Sequence, residues 1–280
     1  MPHLTASDGC RVHYDLLGTG TVPVVLIPGL GGDGRFWGGV VERMGERFRL
    51  VVTDHRGAGR SDRPAGAYRI GRIAQDVVEL LDHLGLARAH LVGHSTGGAV
   101  VQTLALDHAA RADRIVISGS WAGPDARFRA MFGARLALLE AGCPQIYQSF
   151  THVLGFDAEW IAAHEAELDA AVARAGEALA PLDVAAERIR MLLAFDRRAE
   201  LARITAPTLV LAARDDMLIP CAQSRAIATL IPGAAMITLS GGHFYPRTRP
   251  DAFADAVAGF LARAARPAKD REGDRVAAAG

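Results

Sequence analysis

Gly93-His94-Ser95-Thr96-Gly97-Gly98 sets a serine in a glycine-framed turn, and no other segment constrains the fold of this chain as tightly. The run before it, Ala89-His90-Leu91-Val92, is short and apolar, as a buried strand is. The run after it, Ala99 to Leu106, has the pattern of a helix. A strand that passes through Gly-x-Ser-x-Gly into a helix makes a nucleophile elbow. The bend is so sharp that a side chain at Gly93 or Gly97 would meet backbone, and glycine removes that bulk. Ser95 is then pushed out above the end of a sheet, with a helix N-terminus beside it. A pattern this short recurs by chance in ordinary glycine-rich turns, so its weight comes from the strand and helix that flank it.

The neighbouring segments continue the same rhythm. Val24-Val25-Leu26-Ile27 and Leu50-Val51-Val52 are short apolar runs, stopped by Pro28 and by Thr53-Asp54. Ile73, Val77, Leu80, Leu81 and Leu84 recur at helical spacing, and Gly85 closes that segment. A further strand is expected at Arg114 to Ser118, and part of an antiparallel edge hairpin at Gly9 to Tyr14. Strands alternating with helices predict an α/β fold, a mostly parallel central sheet covered by helices on both faces.

From Trp121 to Phe195 the rhythm changes to alanine-rich helical patterns at Phe128 to Glu140, Gln145 to Val153, Ala158 to Leu179 and Val184 to Leu193. The alternation returns with a buried strand at Pro207 to Ala212, a helix near Gln223 to Leu230 and a strand at Ala235 to Leu239. A last helix begins near Pro250, with Phe253, Val257, Phe260 and Leu261 on one face. The expected organisation is a core at 1–120, a helical insertion at 121–195, the rest of the core at 196–265, and a charged, alanine-rich disordered tail at 266–280.

Several function classes are disfavoured early. Lysine plus arginine and aspartate plus glutamate number 31 each, which gives no global pull toward nucleic acid or an anionic membrane. Cys10, Cys143 and Cys221 are too few and too scattered for a disulfide framework or a zinc site, and are expected as reduced thiols of a cytoplasmic protein. No apolar run approaches the roughly 18 residues of a membrane span. Gly29-Leu30-Gly31-Gly32 is followed by no Gly-Lys-Ser/Thr, so it is no phosphate loop. His83, His90, His108, His152 and His164 show no ligand spacing, and ordinary surface roles are expected for them. The chain calls for no cofactor and no metal; its expected partner is a small-molecule substrate, and its expected state a monomer or homodimer.

A serine hydroxyl is a poor nucleophile until a base takes its proton, and that base must itself be oriented. Downstream of Ser95, the strand ending at Ala212 leads into Ala213-Arg214-Asp215-Asp216-Met217-Leu218-Ile219-Pro220, and the strand ending at Leu239 leads into Ser240-Gly241-Gly242-His243. An acid, Asp215 or Asp216, and a histidine therefore leave two further strands at the edge that carries Ser95.

With these motifs, and with Ile27-Pro28-Gly29-Leu30-Gly31-Gly32 and Asp54-His55-Arg56-Gly57-Ala58-Gly59-Arg60-Ser61, the chain resembles the α/β-hydrolase superfamily over nearly all of residues 1–265. The resemblance implies Ser95 as nucleophile, His243 as general base and then acid, and an aspartate to orient it. The family spacing Asp-x-x-x-Pro selects Asp216, with Pro220, over Asp215. It also implies an oxyanion hole built from the backbone N–H groups of Thr96 and Leu30, although Pro28-Gly29 stands where His-Gly is common. By the same resemblance the helical insertion is a cap. Trp121, Phe128, Phe132 and Phe150 are candidates to line its pocket, and Arg127, with Arg129, to hold a substrate carboxylate. His94, His55, Phe36 and Trp37 are expected in structural roles. Among cap-bearing members, the chain is similar to bacterial aminoacrylate or carbamate hydrolases and to enol-lactone hydrolases. The activity implied is cofactor-free hydrolysis of a small ester, lactone, amide or carbamate through an acyl-enzyme. Hydrolysis of a carbon–carbon bond of meta-cleavage type, or a slow-turnover ligand receptor on the same fold, are the alternatives.

Overall fold

The computed structural model describes residues 2–179 and 181–262, so the tail expected at 266–280 lies outside the described residues. In chain order the strands are β1 (His3–Thr5), β2 (Arg11–Leu17), β3 (Val22–Ile27), β4 (Phe48–Thr53), β5 (Ala89–His94), β6 (Ala112–Ser118), β7 (Thr208–Ala213) and β8 (Ala235–Leu239). They form one sheet in the order β1-β2-β4-β3-β5-β6-β7-β8. The β1–β2 and β2–β4 pairings are antiparallel, and every later pairing is parallel. The edge hairpin is present where Gly9 to Tyr14 suggested it.

Period-2 alternation divides the apolar side chains between two layers. Val25, Ile27, Val51, Leu91, Ile115, Ile117 and Val210 belong to one core cluster. Val24, Leu26, Leu50, Val52, Val92, Val116, Leu209 and Leu211 belong to the other. Helices α1 (Gly38–Met44) and α12 (Pro250–Leu261) close the second layer, where Trp37, Val40, Met44, Phe253 and Val257 are buried. Helices α2 (Ile70–His83), α3 (Thr96–Asp107) and α10 (Cys221–Leu230) cover the first, through residues such as Ile73, Val77, Val100, Leu104 and Ile227. At the end of α2, Gly85 takes φ +67° and Leu86 N–H donates to Leu81 O at 2.8 Å, the left-handed stop that the sequence suggested.

Between β6 and β7 the described residues form six α-helices: α4 (Ala126–Glu140), α5 (Pro144–Gly155), α6 (Ala158–Ala163), α7 (Glu165–Ala173), α8 (Ala175–Ala178) and α9 (Leu182–Ala194). The single helix expected at Ala158 to Leu179 is instead three, interrupted at His164 (φ −125°, ψ 24°) and Arg174 (φ −91°, ψ 3°). Alanine-rich sequence favours helix throughout and does not specify where it turns. The turns follow from docking: α7 and α8 both pack back against α5. The rings of Phe156, Trp160 and His164 stack in series, with centroids 4.0 and 3.7 Å apart. A short helix α11 (Tyr245–Thr248), not anticipated from the sequence, follows β8.

Strand order reverses between β3 and β5, because β4 returns on the far side of β3. In parallel sheets such a switch point leaves a crevice beyond the carboxyl ends of the strands. The loops that begin at Pro28, Ser95 and Gly119 open onto that edge, as do those that carry Asp216 and His243.

Candidate active site

Ser95 sits where β5 becomes α3, with φ 54° and ψ −115°, and is the one non-glycine residue with positive φ among the described residues. Such a conformation costs about 1–3 kcal/mol and persists only when its surroundings enforce it. Here they do. Ser95 N–H donates to Ser118 O at 2.7 Å, and Ser120 Oγ donates to Ser95 O at 2.9 Å. A Cβ at Gly93 would stand 2.1 Å from Gly97 O, and one at Gly97 would stand 2.0 Å from Ile27 O, so both positions exclude any side chain.

Asp216 and His243 meet although 27 residues apart: His243 Nδ1 and Asp216 Oδ2 are 2.7 Å apart, and both side chains are buried. The other carboxylate oxygen, Oδ1, accepts the N–H groups of Leu218 at 3.0 Å and Ile219 at 2.7 Å. The histidine's partner is thus Asp216 and not Asp215, whose N–H donates to Gly241 O at 3.1 Å and ties the two loops together. The insertion grips both loops. Arg127, exposed at the start of α4, donates to the carbonyl oxygens of Met217 and Leu218, and Phe244 N–H donates to Gly155 O at the end of α5.

Ser95 and His243 line one cavity of about 720 Å³ between the strand ends and the insertion. The loop after β3 forms its floor. Gly32 N–H donates to Gly29 O at 2.9 Å, which closes a β-turn, and a Cβ at Gly29 would lie 3.2 Å from Ser95 Cβ. Leu30, the second residue of that turn, faces the cavity. Thr96 is the first residue of α3, so its N–H has no partner within the helix.

The expected pocket aromatics are elsewhere. Trp121, Phe128 and Phe132 are buried against one another, with centroids 4.8 and 4.3 Å apart in series, and none of them lines the cavity. Phe150 packs against the core cluster and is also absent from the lining. Arg127 and Arg129 are turned to backbone carbonyls, the latter to Pro124 O at 2.8 Å. The four aromatics pack into or against the main core cluster instead.

The lining instead includes Phe36, Phe156 and Phe244, and a polar face of α5 made by Tyr147, Gln148, Thr151 and His152. Their i, i+1, i+4, i+5 spacing was visible in the sequence; what it faced was not. Phe36 stacks on His94, with centroids 5.2 Å apart and planes 14° apart. His94 has the structural role expected of it: Nδ1 is 3.0 Å from Ser118 Oγ, which is 2.5 Å from Tyr245 OH. Burial first, and then the nearby His243, holds the His94 imidazole well below its ordinary range and therefore neutral. His55 is likewise kept neutral by burial and then by Arg188. Among the described residues, no cluster of histidine, cysteine or acidic side chains is arranged to hold a metal, and no helix is long and apolar enough to cross a membrane.

Comparison with known proteins agrees with this geometry. The family model described as the alpha/beta hydrolase fold matches residues 22–246. A protein of Caulobacter vibrioides (strain NA1000 / CB15N), named "Putative carbamate hydrolase RutD", is 38% identical over 266 residues, which cover 93% of this chain and 99% of that one. The enol-lactonase from Burkholderia xenovorans LB400 superposes with a TM-score of 0.86 at 28% identity, covering 94% of this chain and all of the other. A hydrolase from Pseudomonas aeruginosa PA01 gives 0.83 at 30% identity, covering 94% of this chain and 98% of the other. Sheet order, elbow and relatives lead to one assignment: the chain belongs to the α/β-hydrolase fold family and is a hydrolase.

Proposed function

We propose that this hydrolase cleaves a small ester, lactone, amide or carbamate through an acyl-enzyme on Ser95, without a cofactor. The observation that carries the reading is the buried Asp216–His243 pair at 2.7 Å, opening on the same cavity as a serine held on a strained turn. In this mechanism His243 Nε2 takes the Ser95 hydroxyl proton as Oγ bonds to the substrate carbonyl carbon. The carbonyl oxygen gains the negative charge, and the N–H groups of Leu30 and Thr96 are the donors for it. Collapse breaks the bond to the leaving oxygen or nitrogen, which departs with the proton from His243. Water then repeats the sequence: His243 takes its proton, its oxygen bonds to the acyl carbon, and the proton returns to Ser95 as the acid leaves. Asp216 keeps the imidazole in the tautomer with its proton on Nδ1 and stabilises the imidazolium.

Residues 121–195 are, in this reading, a cap over a core made of 1–120 and 196–265. The relative named as a carbamate hydrolase and the enol-lactonase neighbour favour small substrates with an activated or cyclic acyl group. Turnover of a panel of p-nitrophenyl esters, lactones and aryl carbamates, with fluorophosphonate labelling and peptide mapping, tests the mechanism. Ser95→Ala is expected to lose turnover to background and to lose the label. A label on another residue, or a Ser95→Ala variant that retains activity, would contradict it. A protein that labels at Ser95 but turns over no member of the panel beyond one equivalent would be a slow receptor rather than an enzyme.

A further inference from the structure

The cavity is far more cationic than the neutral chain that forms it. Arg35, Arg63, Arg135, Arg188 and Arg247 line it, and among the described residues Asp33 is its one carboxylate. Arg35 is paired with Asp33 and Arg247 with Glu167, while Arg63 is exposed. The remaining two are different. Arg135 on α4 and Arg188 on α9 are 2% and 4% exposed, and neither forms an ion pair with any carboxylate among the described residues. Arg188 Nη1 donates to Gly57 O at 3.1 Å, its Nη2 lies 3.4 Å from His55 Nδ1, and its Nε has no partner. Arg135 Nη2 donates to Tyr147 OH at 2.8 Å and to Thr151 Oγ1 at 2.9 Å, and its guanidinium lies over the rings of Tyr147 and Phe132 at 4.7 and 5.4 Å, while its Nε and Nη1 have no hydrogen-bond partner.

A buried guanidinium without a counter-charge is unfavourable to a fold, so two on one cavity wall favour an anionic ligand that would pair with them. Burial pulls the Arg188 side chain down to about 10, still well above neutrality, so it remains charged at neutral pH. Helices α4 and α9 pack against each other, and Tyr147, which accepts from Arg135, also lies in the electrostatic surroundings of Arg188. The two cations therefore belong to one wall.

That wall has a defined relation to Ser95. A Cβ at Gly32 would lie 2.5 Å from Arg188 Nη2, and one at Gly29 would lie 3.2 Å from Ser95 Cβ. Gly29 and Gly32 are the two ends of a single β-turn, whose terminal Cα atoms lie within about 7 Å. The serine and the guanidinium thus stand at opposite ends of one tight turn.

We propose that Arg188, with Arg135 beside it, is a carboxylate site, and that the substrate is a short molecule bearing a free carboxylate a few bonds from the carbonyl that Ser95 attacks. The planar fork of arginine matches a carboxylate bidentately, and Arg188 is charged at neutral pH. The short span between the two groups excludes long acyl chains from this pose. The substrate class rests on the Ser95 reading above, whereas the anion site itself does not.

Two measurements on the full chain separate them. Isothermal titration with succinate reads the site without turnover. Wild type is expected to bind succinate, with the dissociation constant raised about 10- to 100-fold in Arg188→Met, the range for a lost charge-assisted contact. A smaller rise is expected in Arg188→Lys, and a rise also in Arg135→Met. Thermal melting checks that each variant folds, and if Arg188→Met does not, Arg188→Lys and Arg135→Met decide. Absence of succinate binding to wild type, binding that none of these variants weakens, or binding of inorganic phosphate in place of succinate overturns the carboxylate assignment. In the second measurement, a pH-stat follows hydrolysis of monomethyl succinate and of methyl 4-methylpentanoate, its uncharged counterpart of similar shape. Wild type is expected to favour the charged ester by about 10- to 100-fold in kcat/KM, carried mostly by KM, and Arg188→Met to lose that preference. Cleavage of both esters without preference overturns the proposal. If wild type cleaves neither while succinate still binds through Arg188, the nucleophile reading fails and the anion site stands.

Discussion

Asp216 is the residue on which the proposed chemistry depends most plainly, because each of its oxygens has a separate task. Oδ1 is fixed by the N–H groups of Leu218 and Ile219, and Oδ2 is left for His243 Nδ1. Asp216→Asn keeps the volume and one acceptor, but its amide can turn an N–H toward Nδ1 and select the tautomer that cannot take the Ser95 proton. We expect kcat to fall about 10⁴-fold with little change in melting temperature. Steady-state kinetics with a small activated ester check this, and a variant within about tenfold of wild type would remove Asp216 from the mechanism. That Ser95, an acid at Asp215 or Asp216, and His243 share one strand edge can be read from the sequence, because each follows a strand in a short glycine- or proline-marked loop; the choice of Asp216 comes from the family resemblance. Leu30 and Thr96 are named only through the resemblance to the α/β-hydrolase family, which places one in the loop after β3 and the other at the start of α3. The cavity wall was not legible. Arg127 looked available for a substrate carboxylate and is occupied by the Met217 and Leu218 carbonyls, whereas Arg188, which no motif singles out, is buried. Which arginine is solvated depends on which face of its helix is covered, and that is decided by contacts far away in sequence.

At the scale of elements, the loop from Asp54 to Ser61 is held to α2 and to the β1–β2 hairpin by one charged network. Arg56 donates Nε to Asp76 Oδ2 at 2.6 Å and Nη2 to Asp76 Oδ1 at 2.7 Å, both side chains being buried, and Nη1 to Asp8 at 2.7 Å. Arg72 joins Asp76 to Glu79, whose carboxylate also accepts Ser7 N–H and Oγ–H. Removing one partner of a buried pair strands the other charge, which is far more costly than losing an exposed pair. Asp76→Ala is therefore expected to destabilise by about 3 kcal/mol, the low end of such losses because Asp8 still reaches Arg56. Arg190→Ala, which breaks exposed pairs with Glu140 and Glu187, should cost less than about 1 kcal/mol. Urea unfolding of the two variants measures the contrast, and equal losses would show that the network is solvated. The core strands were legible because both-face burial leaves uninterrupted runs such as Val24 to Ile27, stopped by proline or by polar residues. Segment 158–179 was not, because its composition is helical throughout and its turns at His164 and Arg174 are imposed by packing on α5.

For the whole molecule, the buried imidazoles set how stability responds to acid. His55 and His94 are held well below their ordinary 6.5, and His90 and His152 are also lowered, in each case chiefly by burial. A histidine whose folded pKa is depressed binds its proton more readily when the chain is unfolded. Its stabilising contribution is therefore complete above the unfolded value near 6.5 and is lost as pH falls below it. The loss runs at up to about 1.4 kcal/mol per pH unit for each fully suppressed group, so His55 and His94 together give about 3 kcal/mol per unit. Asp8, held at about 2 chiefly by the Arg56 hydrogen bonds, adds a second loss of the same sign, which begins only below its ordinary 3.8. Unfolding free energy measured in urea is expected to be level between pH 8 and 7 and to fall steeply from about 6.5 toward 5. His55→Asn, whose side-chain oxygen can still accept from Arg188 Nη2, should remove about 1.4 kcal/mol per unit from that slope while leaving the Asp8 window unchanged. A wild-type protein that gains stability between pH 7 and 5.5, or a His55→Asn variant with the original slope, would mean that this imidazole is protonated inside the fold. In that case His55 could not sit beside an unpaired Arg188, and the cationic wall of the cavity would have to be drawn differently.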